Sequence, residues 1–219
     1  MMVTAEFHCH TCYSRDSLLR VQDLIRICEK KQLDRLVITD HNTIEGAIQA
    51  RSIDSLRFIA GEEILTQGGE LLGIFVQEAV QPGLSPSASI DILHSQGAFI
   101  SVSHPFDTMR KGRWELPDLL DIVDLVDAIE VFNARALPPQ ANQQAKAFAR
   151  EHHLLGTVGS DAHSRGEVGA AILTLPDFKN TASLKLALTH AQQHAISRLP
   201  GCIFSRAMLP GEKAIEIEF

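Results

Sequence analysis

The sequence predicts an α/β fold built on a mainly parallel sheet, and three observations carry that prediction. Short apolar runs alternate with longer segments of helical apolar spacing along all 219 residues. No linker, low-complexity segment or internal repeat interrupts the alternation, so one domain spanning residues 1–219 is expected. Residues able to ligate metals fall just after the predicted strands, the end of a parallel sheet where chemistry collects.

The elements follow in order. Residues 3–7 read as a strand. Leu18, Val21, Leu24, Ile25 and Cys28 recur at helical spacing, giving an amphipathic helix to residue 32. Leu36-Val37-Ile38 is a short buried strand, and a helix of small and apolar residues follows over 44–51. Residues 56–60 and 71–76 form the third and fourth strands. Residues 87–95 are helical, stopped by Gly97 at a C-terminal position. Strands over 98–102, 128–132 and 155–158 alternate with helices over 117–123, 139–152 and 182–194, and the tail 195–219 is expected to pack on the barrel. Seven strands in a chain of this length suit a small irregular β/α barrel, with a doubly wound open sheet as the alternative.

Composition narrows the function classes. Hydrophobic residues make up 45% and charged residues 21%, which excludes a disordered or collagen-like chain. No apolar run reaches the roughly 20 residues of a membrane helix. Residues 1–16 lack the basic start and apolar stretch of a signal peptide, so a cytoplasmic protein without a membrane partner is expected. Twenty Lys and Arg against 27 Asp and Glu give −7, from which no long duplex nucleic acid is expected as a partner. Four cysteines, Cys9, Cys12, Cys28 and Cys202, fit a reduced compartment. Cys9 and Cys12 have no second pair to complete a four-thiolate zinc site.

The histidines matter by placement. His8 and His10 follow the first strand, His41 the second, Glu62 and Glu63 the third, His104 the fifth, and Asp161 and His163 the seventh. Parallel strands bring these ends to one rim. In an extended segment residues i and i+2 point the same way, so His8 with His10, and Asp161 with His163, can grip one ion together. Imidazole and carboxylate together suit Zn, Mn or Fe. A carboxylate has two oxygens, so a Glu among many His is the natural bridge between ions. His94, His152, His153, His190 and His194 fall on predicted helices and read as ordinary histidines.

Phe7-His8-Cys9-His10-Thr11, Thr39-Asp40-His41-Asn42-Thr43, Gly61-Glu62-Glu63-Ile64, Ser103-His104-Pro105 and Gly159-Ser160-Asp161-Ala162-His163 together resemble the PHP superfamily, the polymerase and histidinol phosphatase group. The motifs occur in the family's order over residues 7–163. The resemblance implies a distorted (β/α)7 TIM-like barrel with two or three divalent ions and phosphoester hydrolysis. It implies His8, His10, Glu63 and Asp161 at one metal, Glu63, His104 and Glu70 at a second, and Asp16, His41 and His163 at a third. Asp16 lies eight residues after His8, where members place another ligand, although Ser14-Arg15-Asp16-Ser17 departs from the commoner Ser-Asp-Gly form. The family's Gly-x-Glu-Ile pattern selects Glu63 over Glu62 as the bridge. Glu70 stands before Leu71-Leu72-Gly73, where many three-metal members carry a His.

The expected chemistry is hydrolysis of a phosphate ester by metal-activated hydroxide, with Glu63, Asp161 and His163 in the catalytic machinery. Arg110-Lys111-Gly112-Arg113 after the fifth strand and Arg135 after the sixth would hold substrate phosphate, because a guanidinium fork can bind two oxygens at once. The expected partner is a small phosphomonoester, a nucleotide or an oligonucleotide end. The alternatives are a metal-dependent C–N bond hydrolase and a non-catalytic, metal-stabilised module.

Overall fold

The computed structural model describes residues 1–138 and 140–195. Its elements are β1 (Met2–Glu6), α1 (Val21–Lys31), β2 (Arg35–Ile38), α2 (Glu45–Ile53), β3 (Phe58–Leu65), β4 (Glu70–Ile74), α3 (Pro86–Ser95), β5 (Phe99–Val102), α4 (Leu116–Ile122), β6 (Ala128–Asn133), α5 (Ala141–Glu151), β7 (Leu155–Gly159), β8 (Ala171–Pro176), α6 (Thr181–Leu188) and β9 (Gln192–Ala195). No helix among the described residues is long and apolar enough to cross a membrane. Pro139, the expected start of the fifth helix, and the tail from residue 196 lie outside the described residues.

The strands form one sheet in the order β7-β6-β5-β4-β3-β2-β1-β8-β9. Beyond their regular ends β1 and β7 meet again, so the sheet nearly closes on itself. Phe7 N–H donates to Val158 O, Asp161 N–H to His8 O, and His10 N–H to Ala162 O. The lower half of β1 instead pairs antiparallel with β8, from Met2↔Pro176 to Ala5↔Leu173. One strand thus splits its two halves between two partners, and that split distorts the barrel. The α/β barrel class expected from the sequence is the class observed.

The sheet is mixed, which the alternation alone did not predict. β4 runs antiparallel to both β3 and β5. Residues 66–69 make the tight turn between β3 and β4: Thr66 Oγ1 donates to Gly69 O at 2.6 Å, and Gly69 lies flat against Trp114, where an added methyl would enter the indole ring. This reversal positions the site, because the first residue of β4 now lies at the end where β1, β2, β5 and β7 finish.

Three expectations are corrected. β3 does not stop at residue 60 but continues through Gly61-Glu62-Glu63, because its ladder to β4 outweighs the weak strand preference of those residues. β8 was not expected at all. The last helix ends at Leu188, not 194: its apolar spacing extends no further than Leu184 and Leu188, and residues 192–195 pair antiparallel with β8 instead.

Apolar packing forms two bodies. One gathers Phe7, Val37, Ile64, Leu71, Phe99 and their neighbours, and the other packs α1 and α2 against β2 and β3 through Leu24, Cys28, Leu36, Ala47 and Phe58. Burial of each large apolar side chain among them stabilises the fold by about 1.5–3 kcal/mol.

Candidate metal centre

The centre is built mostly from residues just past the regular strands, with Glu63 from within β3 and Glu70 from the start of β4. The chain beyond β1 stays extended, so His8 and His10 face one way, while Cys9 faces the opposite way into the core. His41, past β2, bridges to Glu63 in β3, and Asn42 N–H donates to Glu63 O at 2.8 Å. His104 follows β5 with φ of 24°, and Asp161 follows β7 with φ of 53°, both in the left-handed region that side chains rarely adopt. Backbone held there costs free energy and persists where the surroundings over-determine it.

Glu63 stands in the middle and is buried. Its Oε1 lies 3.3 Å from His8 Nε2 and 3.1 Å from His104 Nε2, and accepts a hydrogen bond from Ser103 Oγ at 2.7 Å. Its Oε2 lies 3.2 Å from His10 Nε2 and 3.1 Å from His41 Nδ1. Glu62, the adjacent residue, faces the other way and accepts from Val80 N–H at 2.8 Å. Asp161 Oδ1 lies 3.3 Å from His10 Nε2 and 3.7 Å from His8 Nε2. Glu70 Oε2 is 3.4 Å from His104 Nε2, at the rim that the reversed β4 gives it. Asp16 Oδ2, more exposed, is 3.3 Å from His163 Nε2 and 3.7 Å from His41 Nε2.

All nine ligand candidates read from the sequence therefore lie in one cluster. Three groups within it place their ligand atoms within 4.8 Å of one another: His8, His10 and Glu63; His10, His41 and His163; and His41, Glu63 and Glu70. His94, His152, His153 and His190 stay outside these groups. Of these, only His94 lies on a helix as expected; His152 caps α5, and His153 and His190 lie in turns.

Electrostatics follow from this crowding. Burial would raise Glu63 and Asp161, yet the charge of His8, with bonds from His10 and other neighbours, holds both carboxyls well below the usual range. Burial would lower His8, but Glu63, Glu130 and Asp161 outweigh it and push it well above its ordinary value. Burial is likewise outweighed at His41, where the hydrogen bond and charge of Glu63, then Asp16 and Glu70, lift the pKa to about 9. His163 is lowered, by burial and then by the charge of His10.

Two of the three predicted arginines reach the centre. Arg110 pairs with Asp161 Oδ2, and Arg135 contacts His163 Nδ1 and donates to Asp161 O at 3.2 Å. Arg113 turns outward to Glu115 Oε1 at 2.9 Å and does not join them. The sequence reading missed Glu130, a buried carboxylate in β6 that touches His8 and His104, and Asp40, which accepts from Thr11 N–H and Ser14 Oγ at 2.6 Å each. A cavity of about 470 Å³ opens at the opposite end of the barrel among Phe58, Phe75 and Phe178, and none of the ligand candidates lines it.

The donor set fits transition-metal ions. Nitrogens bound to zinc at about 2.05 Å in tetrahedral geometry lie roughly 3.3 Å apart. His8 Nε2 and His10 Nε2 are 3.0 Å apart, and their separations from the Glu63 and Asp161 oxygens run from 3.2 to 3.7 Å. Asp161 Oδ1 is buried with no well-aligned hydrogen-bond donor, its nearest neighbour being His10 Nε2 at 3.3 Å, which makes it an acceptor aimed into the cluster and suited to a cation. The centre can hold one or more divalent ions.

Comparison with known proteins finds a matching family. The sequence matches the PHP domain over residues 6–82 and the PHP-associated region over residues 139–191. It is 33% identical over 143 residues to the uncharacterized protein MJ1587 of Methanocaldococcus jannaschii, covering 59% of this chain and 81% of that one. A second protein of that organism, MJ0417, is 32% identical over 177 residues, covering 79% of this chain and 70% of the other. In three dimensions the chain resembles a two-domain protein from Bacteroides vulgatus containing a predicted PHP-like metal-dependent phosphoesterase. The TM-score is 0.70 at 17% identity, over 89% of this chain and 65% of that one.

One expectation is overturned by a further likeness. Endonuclease Q, crystallised with a 27-mer duplex carrying an abasic lesion at its active site, shares the fold at a TM-score of 0.56 and 13% identity, over 87% of this chain and 57% of that one. The same fold thus occurs in a protein with a duplex at its active site, so the exclusion of duplexes drawn from net charge does not stand. Net charge sums the whole surface, whereas phosphate is met by the local field.

Proposed function

The chain belongs to the PHP domain superfamily, and from that premise we propose that it is a metal-dependent phosphoesterase. The observation that supports this most is the gathering of five histidines and four carboxylates from six strands and their following loops at one rim, four of the histidines on Glu63 itself, with Arg110 and Arg135 beside them. His8, His10, Glu63 and Asp161 would hold one ion. Glu63, His104 and Glu70 would hold a second, and Asp16, His41 and His163 a third. Zn, Mn and Fe all suit this set of imidazoles and carboxylates. When bound, such ions lower the pKa of a coordinated water to about 7 and polarise the phosphoryl oxygens.

The chain's own residues do the rest. Glu63 offers one oxygen to His8 and His104 and the other to His10 and His41, so a single carboxylate would serve two ions. Arg110 and Arg135 now pair with Asp161 and with His163, and either guanidinium can exchange that contact for two phosphate oxygens of a substrate. Such an exchange would free Asp161 to serve the ions and would hold the ester phosphate at the rim beside them. Asp161 and His163 shape the protonation of the site as ligands, not as free bases. A small phosphomonoester, a nucleotide or an oligonucleotide end fits this reading.

The test is a panel of phosphate esters offered to metal-depleted protein reloaded separately with Mn, Zn and Fe. The panel includes simple monoesters, nucleotides, single-stranded oligonucleotides and a duplex with an abasic site. Metal-dependent release of phosphate, or cleavage of the strand, is expected. Cleavage of amides with no phosphoester turned over would move the chain to the C–N hydrolases. Metal uptake without any turnover would make it a non-catalytic module.

A further inference from the structure

Glu130 lies in the middle of β6, in Ala128-Ile129-Glu130-Val131-Phe132, and is 1% exposed. A carboxylate buried in an otherwise apolar strand is costly unless its oxygens are fully occupied. Both oxygens are occupied, and every partner belongs to the metal centre or its border. Oε1 lies 3.0 Å from His8 Nδ1. Oε2 accepts from the backbone N–H of His104 at 2.9 Å and from Asn133 Nδ2 at 3.0 Å. Asn133 Nδ2 also reaches Asp161 Oδ2 at 3.4 Å.

A carboxylate has only acceptors, so His8 must carry its proton on Nδ1. That fixes the tautomer and turns the lone pair of Nε2 toward His10 and Glu63. The bond to His104 N–H holds that residue in its left-handed conformation and so directs its Nε2 to Glu63 Oε1. We propose that Glu130 is the positioning residue of the centre, one carboxylate that sets the donor face of His8 and the backbone of His104 together and thereby fixes metal affinity. The proposal rests on the reading of this cluster as a metal centre, and it concerns ligand geometry rather than substrate.

Glutamine has nearly the shape of glutamate but cannot replace it at this position. With its one carbonyl oxygen on His8 Nδ1–H, its NH2 faces the N–H of His104 and the amide of Asn133, donor against donor. Turned over, it satisfies those two and sets its NH2 against His8 Nδ1–H. One half of the arrangement fails in either orientation. Loss of such an outer partner weakens metal binding by roughly 10–100-fold.

The experiment measures zinc affinity by chelator competition for the wild-type chain, Glu130→Gln and Glu62→Gln. The last removes another buried strand carboxylate, one that faces away from the centre. Alongside it, nitrogen-15 spectra of histidine-labelled, zinc-loaded wild-type protein read which ring nitrogen of His8 bears the proton. The expected result is a proton on His8 Nδ1, a zinc affinity for Glu130→Gln about 10–100-fold weaker, and Glu62→Gln near wild type. Equal affinities for Glu130→Gln and wild type, equal losses in both variants, or a His8 bound to zinc through Nδ1 would overturn the proposal while leaving the centre standing. Should Glu130→Gln not fold, the tautomer in the wild-type protein decides. A wild-type chain that takes up no zinc overturns this proposal and the metal-centre reading together.

Discussion

Replacing Glu63 by glutamine should be far more damaging than the same change at Glu62, one residue away. The two oxygens of Glu63 lie 3.1–3.3 Å from four histidine nitrogens, two on each side. An amide presents one oxygen to one side and an NH2 to the other, so it can serve His8 and His104 or His10 and His41, but not both pairs. It also carries no charge to offset two cations. A hydrogen bond or contact to a charged group contributes about 1.5–3 kcal/mol, and two are forfeited, giving roughly 3–6 kcal/mol before any relaxation. Each 1.36 kcal/mol is tenfold in rate, so a loss of about a hundredfold or more in kcat/KM is expected. Glu62 keeps its bond from Val80 N–H through the glutamine oxygen, and its other oxygen has no partner to lose. Glu62→Gln should therefore stay within about tenfold of the wild type. The assay is kcat/KM on the best substrate of the panel, with metal content measured on the same samples. Equal, mild effects would place the bridge elsewhere. A severe effect confined to Glu62 would mean that the two residues exchange faces in solution.

Protein purified without chelator should hold two or three transition-metal ions per chain by elemental analysis, and less than one, unrestored by added metal, would refute the centre. Arg135→Ala should lower kcat/KM by about 10–100-fold while leaving metal content unchanged, since a charge-assisted contact to phosphate is removed; an unchanged kcat/KM would end its assignment to phosphate. Metal affinity should rise with pH. The His41 pKa of about 9 keeps that imidazole protonated in the metal-free chain at neutral pH, and the upward shifts of His8 and His104 act in the same direction, so an ion must displace protons to bind. The gain from His41 should level off above its pKa of about 9, where it is neutral before the ion arrives. Titration of zinc into metal-free protein at pH 7 in two buffers of different ionisation enthalpy reads the proton release, and no release would contradict the raised pKa values of these histidines.

How much of this centre was legible depends on what each residue's position requires. His8 and His10 were legible because a strand end repeats every two residues, and they meet at 3.0 Å. Asp161 and His163 were paired by the same rule but converge for another reason. Asp161 is left-handed, not extended, and turns to His8 and His10, while His163 faces Asp16. Glu70 could be carried to the rim only by a family pattern, because an alternating chain predicts a parallel fourth strand that would put its start at the far end. The Gly68-Gly69 turn that reverses β4 was in the sequence, and a hairpin reading of it would have placed Glu70 correctly. Glu130 stands in the middle of a strand, where no ligand motif points. Its signal was the lone charge among apolar neighbours in a parallel strand, a placement that demands a buried partner.

The error over duplex nucleic acid has the same origin as these misses. A count of 20 cations against 27 anions treats every carboxylate as facing solvent. Glu63, Glu130 and Asp161 are buried among histidines, and Glu70 is largely so. In the proposed centre their charge is spent on bound ions and imidazoles rather than on repelling phosphate. Two divalent ions would cancel those carboxylates, and Arg110 and Arg135 stand beside them at the rim. The field that an incoming phosphate meets is then positive at the point of reaction, although the chain as a whole is acidic.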